Sequence, residues 1–240
     1  GQLSNASKVF EDYLKRYGRK NATGIEAIYR LARTQKRLGK IDEGNANLAY
    51  AVRASKKLGT GPAAGNHYAS KAMFELSEAK FKEYQSIKLV MPERALQRAI
   101  SRKAALLKEL KEMYVEIINL GDPEMGVAAL HYLGLSYQEF SQSLFRAPVP
   151  PSLSPEEVQM YQVELSNQAM PIEQQAIEAF EKSLKKGYEL DVYSEYTRRS
   201  YEQLSQFKPS VYPPQRGEII KGVYTAETIS TDKIKVAGKK

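Results

Sequence analysis

The sequence predicts an all-α fold, an array of antiparallel helix pairs with extended helices, followed by a non-helical C-terminal tail. Three observations predict it. Apolar residues recur at helical spacing almost without interruption to about residue 207. Short turns rich in Gly, Pro and Asp separate the periodic runs, so consecutive helices must fold back on one another. No segment before residue 207 has the pattern of a strand.

Each element follows in order. Ala6, Val9, Phe10, Tyr13, Leu14 and Tyr17 mark a first helix that Gly18 stops. Thr23 is the expected N-cap of a second, which carries Ile28, Leu31, Ala32 and Gln35 and ends at Leu38 before the turn Gly39-Lys40. A third starts after Asp42, carries Leu48, Ala51 and Val52, and ends at Leu58-Gly59. Residues 59–65 form a loop by composition. The fourth, with Tyr68, Ala72, Leu76 and Ala79, is expected to reach Leu89. Pro92 suits the first turn of the fifth, which runs through Leu96, Leu106, Leu110, Met113 and Ile117 to Leu120.

Gly121-Asp122-Pro123 combines a C-terminal stop, an N-cap and a first-position proline, so the sixth helix follows directly and runs to about Phe145. Residues 147–154 are a proline-rich loop. Ser154-Pro155-Glu156-Glu157 opens the seventh, its two acids placed at the positive helix end. It should reach Lys186, with Pro171 kinking or dividing it. An eighth spans about Asp191 to Gln206. The domain organisation is thus a helical array over 1–207 and an extended tail over 208–240.

Composition narrows the function classes. The hydrophobic fraction of 42% and charged fraction of 27% exclude collagen-like and wholly disordered chains. No apolar run approaches the roughly 18 residues that a membrane span needs. The chain has no cysteine, which removes disulfides, thiolate zinc sites and cysteine nucleophiles while leaving cytosol and periplasm equally open. His67 and His131 are too few and too scattered for a His-rich metal site, and neither a nucleophile elbow nor a phosphate-binding glycine loop occurs. The protein reads as non-enzymatic, with no catalytic residue, metal or cofactor expected. Its opening Gly-Gln-Leu-Ser, without Met, reads as a processed or excised fragment.

Charge is uneven. The first 60 residues hold 13 basic and five acidic side chains, a surplus of eight that equals the whole chain's +8. Such a field favours an acidic partner.

Three segments share one pattern at the start of a helical pair: Ile28, Leu31, Ala32, Gln35; Met73, Leu76, Ser77, Lys80; and Leu130, Leu133, Gly134, Tyr137. A second pattern sets a small residue four before a bulky one, at Ala6/Phe10, Gly44/Leu48 and Ala176/Phe180. Together they resemble the tetratricopeptide repeat, most clearly in Leu133-Gly134-x-x-Tyr137 with Ala176 and Phe180. The resemblance covers about 1–207, with a truncated first repeat, and departs from the family in period, which runs well beyond the usual ~34 residues. The stretch from Ala129 to Tyr137, the Ala147-Pro-Val-Pro loop, Met170-Pro171 and Ala176 to Glu181 look like repeat proteins of delta-proteobacterial cell envelopes and gliding machinery. That likeness implies a right-handed α-solenoid, a periplasmic or envelope setting, and a scaffold that binds protein segments in a concave groove.

In that family the first helix of each pair lines the groove. Tyr29, Arg33, Lys36 and Arg37 share one face of such a helix here and could hold the carboxylates of an acidic partner. The competing reading is a solvated basic face. His131 occupies a groove position on its own helix and joins the contact candidates, against the reading of a packed histidine. Arg94, Arg98, Arg102 and Lys103 suggest a basic stripe on the fifth helix, but without interleaved aromatics it argues against single-stranded nucleic acid as the partner. A polyanion, nucleic acid or envelope glycan bound through the first quarter, is the alternative to the protein partner.

Overall fold

The computed structural model describes residues 1–59 and 61–214, which form eight α-helices and no strand. They are α1 (Gln2–Tyr17), α2 (Ala22–Arg37), α3 (Ile41–Leu58), α4 (Asn66–Ser86), α5 (Glu93–Asn119), α6 (Pro123–Phe145), α7 (Pro155–Glu189) and α8 (Glu195–Phe207). A 3-10 turn at Pro62–Ala64 joins α3 to α4.

Local chemistry sets the helix ends. Asn21, not Thr23, caps α2: its Oδ1 accepts from the Gly24 N–H at 2.7 Å, and Thr23 lies inside the first turn. Asp122 caps α6 by accepting from Met125 N–H. Ser154 and Glu157 form a reciprocal capping box, and the bonds from Ser154 hold the Glu157 carboxyl below its ordinary range. Pro92 sits at the cap position just before α5 rather than in its first turn. The fourth helix stops at Ser86, short of Leu89, where Ile87 turns extended. The seventh runs through Pro171 to Glu189 as one helix, so the proline does not divide it. The eighth starts at Glu195 instead of Asp191: Asp191 takes a left-handed φ of 53°, and Ser194 supplies the cap.

Consecutive helices pack as neighbours along the whole chain, and even-numbered helices also touch one another: α2 with α4, α4 with α6, α6 with α8. The apolar interior forms two clusters. One gathers Leu14, Ile25, Ile28, Leu31, Leu48 and Val52 from α1–α3, closed by Ala69 and Ala72 of α4. The other gathers Phe74, Tyr84, Leu106, Tyr114, Phe180 and Leu204 from α4–α8. Met73 packs against both.

The repeated small residues earn their place at helix crossings. A Cβ on Gly134 would lie 2.6 Å from the Phe180 ring, so the glycine lets α7 press that ring onto α6. A Cβ on Gly44 would come within 2.8 Å of the Ala32 carbonyl, fixing the approach of α3 to α2. Each such glycine gives up about 1 kcal/mol of helix propensity relative to alanine.

Lys103 corrects the expected stripe. Arg94, Arg98 and Arg102 are exposed, whereas Lys103, a further 100° around the helix, is 0% exposed. Its Nζ bonds Glu139 of α6 at 3.0 Å and reaches the Tyr84 and Ile87 carbonyls at the end of α4, at 3.4 and 3.3 Å. It also stands 4.7 Å from the Tyr84 ring centroid. One ammonium thus ties three helices and satisfies acceptors where α4 runs out of N–H donors.

At the C-terminal end, Lys208 pairs with Glu181 and the Tyr201 hydroxyl donates to the Pro213 carbonyl. Residues 208–214 therefore lie against α7 and α8; the expected tail beyond them falls outside the described residues.

Candidate functional site

Three of the residues expected to meet a partner converge on one carboxylate. The Tyr29 hydroxyl donates to Glu75 Oε1 at 2.7 Å, Arg33 Nε lies 3.3 Å from the same oxygen, and Lys36 Nζ lies 3.7 Å from Oε2. Burial, reinforced by Glu75, pushes the Tyr29 phenol far up. Arg33 also covers the Tyr29 ring at 5.8 Å and keeps 60% of its side chain exposed. Arg37 is exposed and has no carboxylate within 4.0 Å among the described residues. The α2 face is therefore polar and half-neutralised, with Arg33 and Arg37 as its outward cations.

A second knot adjoins it. Tyr68 donates to Glu26, which also pairs with Arg30, and these bonds hold the Glu26 carboxyl below its usual range. The Tyr29 and Tyr68 rings lie 5.6 Å apart. From there an aromatic row continues across the even helices: Phe74 of α4 stands 5.1 Å from Tyr132 of α6, and Tyr132 6.1 Å from Tyr196 of α8. Tyr132 and Tyr196 are half-buried. Burial raises both phenols, that of Tyr196 to about 12 with Tyr132 and Glu195 adding to it. A hollow of about 370 Å³ opens between α2 and α4, lined by Tyr29, Arg33, Tyr68, Lys71, Phe74 and Glu78. The sequence does not mark Glu75, Tyr132 or Tyr196 as contacts, and Tyr68 reads there only as a helix-spacing residue. The repeated leucines hold a signal for two of them, since the residues preceding Leu31, Leu76 and Leu133 are Arg30, Glu75 and Tyr132.

His131 does not join this surface. It is 2% exposed, packed among Tyr132, Phe180 and Tyr196, because its position points inward to α7 and α8. A chain of hydrogen bonds fixes its tautomer. Ser183 donates to the Val127 carbonyl and Ser200 donates to Ser183, so the 3.0 Å contact to Ser200 Oγ requires a proton on His131 Nδ1. Burial, with Arg199 adding to it, pushes the imidazole down from 6.5 to about 4.

That depression makes His131 an acid-labile point. The unfolded chain takes up a proton below about pH 6.5 and the folded chain only below about 4, so stability falls as pH drops through that window. The full loss is about 3 kcal/mol. Urea unfolding of wild type and His131→Gln at pH 7 and pH 4.5 checks it. The variant should lose less stability on acidification; an equal loss would place the responsible proton elsewhere.

His67 is partly exposed at the start of α4 and meets Asp122 at 2.7 Å. Among the described residues no three His, Asp or Glu side chains stand close enough to hold a metal ion, and no helix is long and apolar enough to cross a membrane. No protein-family model matches the sequence, and no curated protein matches it at a significant level.

Proposed function

We propose that the chain is a right-handed, tetratricopeptide-like α-solenoid acting as a non-enzymatic scaffold. It organises a cell-envelope or motility-related assembly by binding protein segments along its even-helix face. The observation that carries this reading is the contact of α2 with α4, α4 with α6 and α6 with α8, while among the described residues the backbones of the odd-numbered helices stand apart, α3 reaching α5 through the side-chain pair Lys56–Glu116. Elements that crowd on one side and separate on the other curve a stack toward the crowded side, which makes the even face concave. Stacked units that cannot bury their apolar stripes alone yield such a face without any chemistry. Tyr29 and Phe74 are 6% exposed and only brace the aromatic row from within, so Tyr68, Tyr132 and Tyr196 offer the apolar contact, and Arg33 and Arg37 offer carboxylate contacts at its rim. The envelope setting rests on the sequence likeness alone.

The test is a pull-down from nuclease-treated lysate of the source organism at low and high salt, with wild type and an Arg33→Glu, Arg37→Glu variant. One or two proteins retained at high salt by wild type and lost by the variant are the expected result. Arg33→Glu sets a second carboxylate beside Glu75, so the thermal midpoint should fall by a few degrees, on the order of 1 kcal/mol, and retention is compared at a temperature well below it. Equal retention by the variant would sink this contact assignment.

One observation favours the polyanion reading. Lys20, Arg53 and Lys57 line a hollow of about 260 Å³ against Tyr50, whose ring Arg19 approaches at 5.9 Å. None of these four cations pairs with a carboxylate among the described residues. Retention that disappears with salt or nuclease would bring that reading to first place.

A further inference from the structure

Five glycines lie inside helices, and four of them are explained by packing. A Cβ would come within 2.8 Å of another atom at Gly24 and Gly44, 2.6 Å at Gly134 and 2.7 Å at Gly187. At Gly126, in the first turns of α6, a Cβ would meet nothing within 4 Å. Helix propensity argues against glycine there and no neighbour asks for it. What it borders is a cleft of about 560 Å³. Its apolar lining is Ile118 of α5, Pro123, Val127 and Leu130 of α6, and Leu190 after α7. It lies where α5 and α7 do not pack on each other, and it shares no residue with the Tyr29–Glu75 face.

Lys182, Lys185 and Lys186 of α7 border the same cleft. Lys185 and Lys186 share one carboxylate, Glu189, at 3.8 and 2.8 Å. Lys182 is exposed with no carboxylate within 4.0 Å among the described residues. Asp122, the other acid at the cleft, is occupied by the Met125 N–H and by His67. Three lysines against two carboxylates leave an excess of one positive charge, and the three ammoniums are spread over more than one turn of α7, a spacing that matches carboxylates along a segment better than a single head group.

We propose that this cleft docks an acidic, apolar peptide segment of a partner protein. Apolar side chains enter over Gly126, and flanking carboxylates meet Lys182, Lys185 and Lys186. An open apolar floor with a few placed charges is the ordinary build of such a site. The missing Cβ of Gly126 is what leaves the floor deep enough for a side chain. This is a second surface beyond the even-helix face, and it stands or falls separately from it.

The experiment selects a displayed random-peptide library on the full chain and measures each selected peptide by fluorescence anisotropy against four variants. Selected peptides should combine at least two apolar residues with carboxylates. They should weaken about tenfold or more against Gly126→Leu, which fills the floor, and against Lys182→Glu with Lys186→Glu. They should bind Arg33→Glu with Arg37→Glu as wild type does. Gly126→Ala serves as the folding control and should raise the thermal midpoint by about 2 °C. The proposal is overturned by peptides that bind Gly126→Leu undiminished, by peptides that instead require Arg33 and Arg37, or by a selection that enriches no acidic, apolar sequence. Dodecanoate binding that Gly126→Leu abolishes, with no such peptide enriched, would assign the cleft to a small amphiphile and overturn the peptide as occupant.

Discussion

Phe180→Ala is expected to lower unfolding stability by about 3–5 kcal/mol. The ring is 0% exposed, lies over Gly134 of α6, and neighbours His131 at 5.6 Å and Phe207 at 6.4 Å. Removing it empties the crossing of α6, α7 and α8 at once, and three helices cannot collapse together into one void. The reciprocal change, Gly134→Ala, pushes a methyl into the ring and should cost about 1–3 kcal/mol, since a ring buried on all sides has nowhere to swing. Adding Phe180→Leu to Gly134→Ala should cost less than the two single changes summed, because each relieves the other. Urea unfolding midpoints of wild type, Phe180→Ala, Phe180→Leu, Gly134→Ala and the double variant decide it. Strict additivity would mean that the ring does not rest on the glycine.

The second large effect concerns Lys103. Glu139→Ala should cost about 3 kcal/mol, because it strands an ammonium that is 0% exposed with only two carbonyls and one ring for company. Lys103→Met should cost only about 1 kcal/mol, although it removes the same ion pair. The methionine keeps the volume, and the carboxylate left behind is 31% exposed and can turn to water. The order of the two variants in chemical unfolding is therefore diagnostic. A greater loss from Lys103→Met would mean that the lysine matters chiefly as a cap on the α4 carbonyls.

The helices and most of their ends were legible in the sequence because their causes are local. Asp122 and Ser154 cap their own next turn, and Gly18 and Gly121 stop the helices just before them. Errors arose where a distant residue decides. Arg33 and Lys36 read as free cations because Glu75, some forty positions on, cannot be placed from one helix face. Lys103 read as surface because a run of arginines four apart says nothing about the residue beside it. His131 stands in the sequence as a contact candidate beside the heavier reading of a packed or surface histidine; the packed reading holds, because the pairing of α6 with α7 and α8, through Ser183 and Ser200, settles which side of the helix is inside. Pro171 reads as a kink or a division, and the helix is not divided: one lost N–H bond is outweighed by the apolar residues on both sides of it, Leu165, Ala169, Ala176 and Phe180, which pack on one interior.

The divided interior has a mechanical consequence. Tension applied at residue 1 would act first on the smaller cluster, whose helices α1–α3 are held to the rest chiefly through α4. The larger cluster, cross-tied by Lys103 and by the serine chain from His131, would carry the same load without yielding. The molecule is expected to lengthen in two steps under pulling, a soft one near the start of the chain and a stiff one behind it. A scaffold so graded behaves as a fuse, giving way at one end while the far end keeps its grip.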